Sequence, residues 1–285
     1  MYKRKIEEVL KNWKQTPNHK PIVIKGVRQC GKTSSVMDFA KKNYRHVVYL
    51  DFREHPEYRN FFIPNLDIPS IILRISATMP NMEIEAKETC FVFDEIQDCP
   101  RARGALKYFY LDGNYEVMCT GSLLGVNGYK TKEELQDESE ASIPVGFEQI
   151  ENMYPMDFEE WLWANNIKPI HLTYLRKCFD EELPVDEAIH QRMRELLHLY
   201  AIVGGMPEAV STFLATNQIG TFLQVQRRIV DEYKSDMIKY ALPTDKSKIR
   251  ECFESIPSQL AKEYKKFQFS KIRPNARGKE FAGSI

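Results

Sequence analysis

Residues 26–33 of this chain read Gly-Val-Arg-Gln-Cys-Gly-Lys-Thr, which fits the pattern G-x-x-x-x-G-K-[ST]. This spacing is typical of a loop whose backbone N–H groups curl around phosphate oxygens. Chance produces the pattern in roughly one chain in a hundred of this length, so the flanking residues have to support it. The preceding residues 21–25 are apolar and β-branched, which predicts a buried strand. Val36, Phe39 and Ala40 follow at helical spacing, so strand, loop and helix N-terminus come in the order that a phosphate site requires.

The loop predicts specific contacts to a nucleotide. Lys32 is expected to reach the β- and γ-phosphates, and the Thr33 hydroxyl is expected to coordinate Mg²⁺. The alternative is an ordinary glycine-rich turn that carries Lys-Thr by chance. The predicted nucleotide-binding residues are Gly26, Val27, Arg28, Gln29, Cys30, Gly31, Lys32, Thr33 and Ser34.

A second informative stretch places two carboxylates after a run of four apolar residues, 90–93. The run predicts a buried parallel strand, and ligands of open α/β sheets bind at the carboxyl ends of strands. Asp94 is expected near the Mg²⁺, directly or through a water, and Glu95 is expected to polarise the attacking water as general base. Such strands are common, so Asp94 and Glu95 point to a nucleotide hydrolase only in combination with the phosphate loop.

Thr120 and Ser122 end another predicted strand, 115–122. A hydroxyl at this strand end could reach the γ-phosphate or the attacking water, which would give these two residues a catalytic role. A plain Thr-Gly-Ser turn is the alternative interpretation.

The periodicity predicts an α/β region to about residue 150, followed by helices. The predicted helices are 3–15, 68–79, 101–111, 171–181, 186–202, 207–215 and 218–240, with a further one around Phe158 and Trp161. A further strand is predicted at 46–52 and a last, edge strand at 142–147, whereas residues 53–66 are expected to be irregular and 125–141 to form a mobile loop.

Composition narrows the class of protein. Forty basic residues balance forty acidic ones, which argues against a basic coat for nucleic acid and against a polybasic membrane anchor. Neither a signal peptide nor an apolar run of ~18 residues is present, so a cytoplasmic protein without a membrane partner is expected. Six scattered cysteines are expected to be reduced thiols. The segment 262–279 is locally basic, which indicates a solvated tail or, as the minority interpretation, a nucleic-acid contact.

Taken together, these motifs resemble AAA-type ATPases of bacteria and archaea that carry an appended C-terminal domain of unknown function. The matching segments are residues 25–33, 93–97, 120–122, 144–146, 155–161 and Val-Gly-Gly-Met-Pro-Glu at 203–208. The resemblance implies a P-loop NTPase core with five mainly parallel strands, an α-helical lid domain and the start of a winged-helix-like region. The implied limits are 1–150, 151–242 and 243–285, the last incomplete because family members usually continue further. Asp94 and Glu95 would be the Walker B pair, and Thr120 or Ser122 a sensor.

Three functions fit these observations. The leading hypothesis is hydrolysis of ATP–Mg²⁺ coupled to a conformational change, with an arginine finger supplied by Arg101, Arg103, Arg227 or Arg228, or by a neighbouring subunit of a homo-oligomer. The second is a slow switch or binding module that acts on a protein or DNA partner through the helical and C-terminal regions. The third, a GTPase or small-molecule kinase, is disfavoured because the chain lacks the guanine-binding string Asn-Lys-x-Asp.

Overall fold

The computed structural model describes residues 2–122, 146–239, 244–264 and 266–281. These residues include a sheet of five parallel strands in the order β2-β3-β4-β1-β5. The strands are β1 (Ile22–Gly26), β2 (His46–Asp51), β3 (Thr89–Asp94), β4 (Glu116–Ser122) and β5 (Gln149–Met153). This arrangement confirms the predicted α/β core of five parallel strands between helices.

The predicted helices are present close to their predicted limits, and two further helices, which the sequence analysis does not predict, follow at Lys246–Leu260 and Gly278–Phe281. In chain order the helices are α1 (Ile6–Gln15), α2 (Lys32–Asn43), α3 (Ile68–Thr78), α4 (Pro100–Asp112), α5 (Phe158–Ala164), α6 (Pro169–Asp180), α7 (Glu187–Val203), α8 (Pro207–Thr216), α9 (Ile219–Lys239), α10 (Lys246–Leu260) and α11 (Gly278–Phe281). None of the helices in these parts of the chain is long and apolar enough to cross a membrane.

The two faces of the sheet bury alternate residues of the same strands. Val23 and Phe91 belong to one core cluster, with side chains of α3 and α4. Ile22, Ile24 and Val92 belong to the other, with side chains of α1 and α2. Because successive side chains of a strand point to opposite faces, an apolar run covered by helices on both sides is the pattern of a buried parallel sheet.

Two predictions around the sheet need correction. The strand predicted at 142–147 is wrong for its described part, since Gly146 and Phe147 lie in a turn and bend, while residues 142–145 and the loop at 125–141 fall outside the described residues. The fifth strand is instead Gln149–Met153, whose mainly polar sequence suits an edge strand with alternately exposed side chains. Residues 53–66 contain a 3₁₀ helix, Pro56–Phe62, that buries two phenylalanines in the core.

The helices after β5 build a third apolar cluster around the fully buried Trp161. Helix α5 starts in a capping box, in which the Asp157 side chain accepts from the Glu160 amide and the Glu160 side chain accepts from the Asp157 amide. The Met156 amide donates to the Gly205 carbonyl across 2.7 Å, which joins the start of this region to the Gly-Gly-Met-Pro segment.

The described residues fall into two compact units. One holds the sheet and the chain through residue 223, and the other starts at residue 224 within α9 and holds α10 and α11. In the second unit the Gln259 side chain accepts from the backbone amide of Gln268 across 3.1 Å and donates to the Gln268 carbonyl across 2.8 Å. These two bonds hold the segment that follows α10 against the end of that helix. The domain limits near residues 150 and 242 and the winged-helix-like character of the C-terminal region stay predictions.

Candidate functional site

The phosphate-loop, Asp-Glu and Thr-Gly-Ser motifs meet at the carboxyl edge of the sheet. Strand β4 lies between β1 and β3, and its residue Ser122 is in register with Gly26, the last residue of β1. Thr120 is therefore placed between the phosphate loop and Asp94 at the end of β3. This edge is where open α/β sheets place their ligands.

The backbone of the loop curls directly before helix α2. Gln29 has φ 61° and Gly31 has φ 96°, both in the left-handed region that only glycine adopts easily. Helix α2 begins at Lys32, whose buried side chain donates from Nζ to the carbonyls of Gly26, across 3.1 Å, and Val27, across 2.8 Å. An ammonium group is thereby held against the loop, at the positive end of a helix.

The other predicted loop residues differ in exposure. Cys30 is buried, Val27 and Arg28 are half-buried, and Gln29 and Ser34 are exposed. Exposed positions of a phosphate loop can contact a ligand through their backbone amides, whatever their side chains do.

Asp94 is the centre of a hydroxyl cluster. Its Oδ1 accepts hydrogen bonds from the Thr33 hydroxyl, across 3.0 Å, and from the Thr120 hydroxyl. Its Oδ2 accepts from the Tyr49 hydroxyl across 2.7 Å. Burial raises the pKa of the Tyr49 phenol, and the neighbouring Asp94 carboxylate raises it further, so Tyr49 stays a donor. A carboxylate beside a threonine hydroxyl is the hard oxygen donor set that Mg²⁺ prefers, so the residues present fit that ion.

Glu95 adopts the left-handed conformation, with φ 52°, directly after β3. Its carboxylate lies 2.8 Å from Arg53 Nη2 and accepts a hydrogen bond from the side-chain amide of Gln97. Burial raises the pKa of the Glu95 carboxyl and Asp94 adds to that rise, while Arg53 and Gln97 oppose it. The group is thus a carboxylate in a partly desolvated position, whose charge depends on its cationic neighbour.

Ser122 is buried at the end of β4, and its backbone amide lies 3.3 Å from the Gln97 side-chain oxygen. Gln97 therefore bridges Glu95 and Ser122. This bridge links the end of β4 to the Asp-Glu motif.

The sequence motifs assign no role to three residues of this site: Tyr49, Arg53 and Gln97. Tyr49 lies on β2 and Arg53 follows the end of β2, so the rule that ligands gather at strand ends was a usable signal for both. Gln97 lies in the segment 93–97 that carries Asp94 and Glu95, but the sequence pattern does not predict a partner for its side chain.

Two candidate arginine fingers already have contacts within the chain. Arg103 forms a buried ion pair with Glu148, with Nη2 2.6 Å from Oε1. Arg101 donates to the carbonyls of Phe62 and Pro64, each across 2.9 Å. Both side chains therefore anchor α4 to neighbouring segments.

Comparison with known proteins finds two family models. A model described as AAA domain matches residues 18–162, and a model described as a domain of unknown function (DUF8612) matches residues 194–285. No curated protein sequence matches the chain.

Several solved structures are similar to this chain. The Walker-type ATPase of Pyrococcus abyssi is 15% identical, with 91% of this chain and 78% of that chain covered and a TM-score of 0.45. AMPPCP-bound DnaA from Aquifex aeolicus is 11% identical, with 95% and 81% covered and a TM-score of 0.39. The Orc1 protein of Aeropyrum pernix in complex with DNA is 12% identical, with 94% and 74% covered and a TM-score of 0.35.

Proposed function

Because this chain belongs to the AAA domain family, we propose that it binds ATP with Mg²⁺ and hydrolyses the nucleotide to drive a conformational change. The main support is the convergence of the two motifs: the Thr33 hydroxyl lies 3.0 Å from Asp94 Oδ1 across the strand that separates them. Lys32 and Glu95 flank this pair. These residues supply the positioning and charge neutralisation that phosphoryl transfer requires.

Binding is assigned to the loop from Gly26 to Ser34. Its backbone amides and the N-terminus of α2 would face the phosphates, since both carry partial positive charge. The Lys32 ammonium now donates to two carbonyls of the same loop and would turn from them to the phosphate oxygens. An ammonium already held at the loop loses little conformational freedom in that step.

The metal site is assigned to Thr33 and Asp94. When bound there, Mg²⁺ would neutralise part of the phosphate charge. Thr120 and Tyr49 hold the Asp94 carboxylate from both of its oxygens. A ligand oriented by surrounding hydrogen bonds keeps its direction, so we assign Thr120 and Tyr49 to the support of Asp94.

Glu95 is assigned the role of general base. Its carboxylate would accept one proton from the water that attacks the γ-phosphate, while the bond from that phosphorus to the leaving oxygen breaks. The raised pKa of this buried carboxyl increases its basicity and brings it closer to neutral pH. Ser122 is kept as a candidate for contact with the γ-phosphate or the water.

A slow, ATP-dependent switch is the second candidate function, and one observation favours it. The Glu95 carboxylate is already engaged by Arg53 and Gln97. A base held in these contacts has to be released before it meets water, so turnover would be slow until a partner, a second copy of the chain or DNA rearranges them.

Titration of the full chain with ATP and Mg²⁺, together with steady-state phosphate release, tests the proposal. Lys32→Ala should abolish binding, whereas Glu95→Gln should bind ATP normally and lose about 10²- to 10⁴-fold in turnover, the usual contribution of a general base. Glu57→Gln changes an exposed carboxylate and serves as the matched control. Absence of ATP binding by the wild-type chain would refute the proposal. Tight binding with a low turnover that Glu95→Gln leaves unchanged would favour the switch.

A further inference from the structure

Arg4 is a buried cation that precedes helix α1 and reaches the phosphate loop. Its Nη1 donates to the Cys30 carbonyl across 2.7 Å, and its Nη2 donates to the Tyr154 carbonyl across 2.7 Å. Its Nε lies 3.1 Å from the carboxylate of Glu160, which balances the charge. One guanidinium therefore joins the loop, the segment after β5 and helix α5.

The Cys30 carbonyl lies between the two left-handed residues of the loop, Gln29 and Gly31. A residue other than glycine adopts that conformation only when its surroundings hold it there. The Arg4 guanidinium packs directly against this turn, since a Cβ added to Gly31 would lie 3.3 Å from Nη1. A fixed donor on the Cys30 carbonyl therefore keeps the curled form of the loop.

Glu160 fixes the other end of this connection. Its carboxylate is 6% exposed and accepts from the amides of Lys5, across 2.6 Å, and Asp157, across 3.1 Å. These backbone donors hold the carboxylate in place, so the guanidinium has a rigid anchor. A lysine in place of Arg4 could not make the same contacts, because one ammonium lacks the planar guanidinium fork that reaches three separated acceptors.

We propose that Arg4 is a positioning residue of the nucleotide site, which rests on the proposed ATP binding. It holds the phosphate loop curled through the Cys30 carbonyl, so that the loop amides face the phosphates before the ligand arrives. Arg4 touches no reacting group. Through Tyr154 and Glu160 it also ties the loop to the start of α5, so a shift of the loop on binding is passed to the helices that follow the sheet.

The test compares Arg4→Ala, Arg4→Lys and Lys5→Ala in the full chain. Lys5 is the matched control because its ammonium bonds Asp157 and Glu159 at the same junction but does not contact the loop. Two quantities are measured on each variant: the Kd for ATP–Mg²⁺ by calorimetry, and amide hydrogen exchange of residues 27–33 without nucleotide. Circular dichroism establishes that each variant is folded.

Arg4→Ala should raise the Kd by about 10- to 100-fold, the scale of a lost charge-assisted hydrogen bond, and should speed exchange in the loop. The Kd and the loop exchange rate of Arg4→Lys should fall between those of Arg4→Ala and the wild type. If Arg4→Ala does not fold, Arg4→Lys is the variant that tests the inference. Lys5→Ala should keep both values. Wild-type Kd and exchange in the folded Arg4 variants, or equal losses in Lys5→Ala, would overturn the inference. If the wild type binds no ATP, the proposed function fails while loop exchange still tests Arg4.

Discussion

Arg53 Nη2 lies 2.8 Å from Glu95 Oε2, so the proposed general base is paired with a cation from the end of the neighbouring strand β2. Arg53 also bonds Asp98 across 2.8 Å, which fixes the guanidinium on two carboxylates. Burial raises the pKa of the Glu95 carboxyl, and Arg53 is the largest influence that opposes the rise. Among the polar neighbours of the base, Arg53 therefore has the largest effect on its protonation.

Replacing Arg53 should change the pH dependence of ATP turnover. In Arg53→Gln the burial of Glu95 is no longer opposed by that charge, so its pKa rises further and the active carboxylate forms only at higher pH. The acidic limb of kcat against pH should move to higher pH than in the wild type. Steady-state phosphate release between pH 5 and 9 measures this shift.

Arg53→Lys keeps the charge and should leave the limb close to its wild-type position. Arg45→Gln removes an exposed arginine that pairs with Glu88 instead, and it should have no effect on the limb. A limb that moves to lower pH in Arg53→Gln, or that moves equally in Arg45→Gln, would contradict the role given to Arg53.

The two threonines that donate to Asp94 Oδ1 should have separable effects. Thr33→Ala removes a proposed metal ligand, so the Mg²⁺ concentration for half-maximal turnover should rise about tenfold or more, the scale of a lost contact to a charged group. Thr33→Ser keeps the hydroxyl and should stay near the wild type. Thr120→Val removes the other donor to Asp94 and should lower kcat with a smaller change in Mg²⁺ requirement. The measurement is a Mg²⁺ titration of turnover at saturating ATP.

The result would oppose these assignments if Thr120→Val changed the Mg²⁺ requirement as strongly as Thr33→Ala did. Thermal unfolding of each variant is the control, because Thr120 is fully buried and a change there also affects packing.

Much of the fold could be predicted because the central strands of the sheet are apolar on both faces. The run Cys90 to Phe93 is buried on both sides, and a short apolar run of this kind is typical of a buried parallel strand. The edge strand Gln149–Met153 was missed because only one of its residues is buried, so neither an apolar run nor a clear alternation marks it.

The candidate site could be predicted where its residues lie in short motifs or at the ends of predicted strands. Lys32, Thr33, Asp94 and Glu95 lie in two short motifs with known spacing. Arg4 was not predictable, because its partner Tyr154 is 150 residues away and only the packing of β5 beside β1 brings them together. Contacts of this kind depend on the order of the strands in the sheet, which no local sequence pattern around Arg4 or Tyr154 indicates.

Gly26 should be intolerant of any side chain, for a steric reason at the junction of β1 and β5. A Cβ at Gly26 would lie 2.1 Å from the Met153 carbonyl oxygen, which is backbone and cannot turn away. Gly26→Ala should therefore destabilise the fold by about 1–3 kcal/mol, the usual cost of overpacking. Urea unfolding followed by circular dichroism measures the loss.

Gly220→Ala is the matched control, since a Cβ there meets nothing within 4 Å and the residue lies in helix α9. This variant should gain about 0.4–1 kcal/mol, because alanine has fewer conformations to lose on folding. Equal stability of Gly26→Ala and Gly220→Ala would contradict the steric reason.

His19 lies between two acceptors at the opposite, amino-terminal end of β4. Its Nδ1 lies 2.9 Å from the Thr16 carbonyl oxygen and its Nε2 lies 3.4 Å from Glu116 Oε2. The bond to Glu116 raises the pKa of His19 above its ordinary value of 6.5, although burial and Lys14 oppose the rise. Burial raises the pKa of the Glu116 carboxyl, but hydrogen bonds from His19 and Tyr44 outweigh burial, so the pKa of Glu116 is lowered overall.

This pair should make stability depend on pH. A histidine whose pKa is raised by folding stabilises the protein fully below its unfolded pKa, near 6.5, and that contribution is lost as pH rises through the folded pKa. The wild type should therefore lose more unfolding free energy between pH 5.5 and 8.5 than His19→Gln does, by about 1 kcal/mol or less, since the pair is partly exposed. Urea unfolding at the two pH values measures the difference, and 1 M salt should reduce it.

His55→Gln, which changes an exposed histidine beside Glu57, should keep the wild-type difference. If His19→Gln keeps it as well, the His19–Glu116 pair contributes nothing to stability in this range.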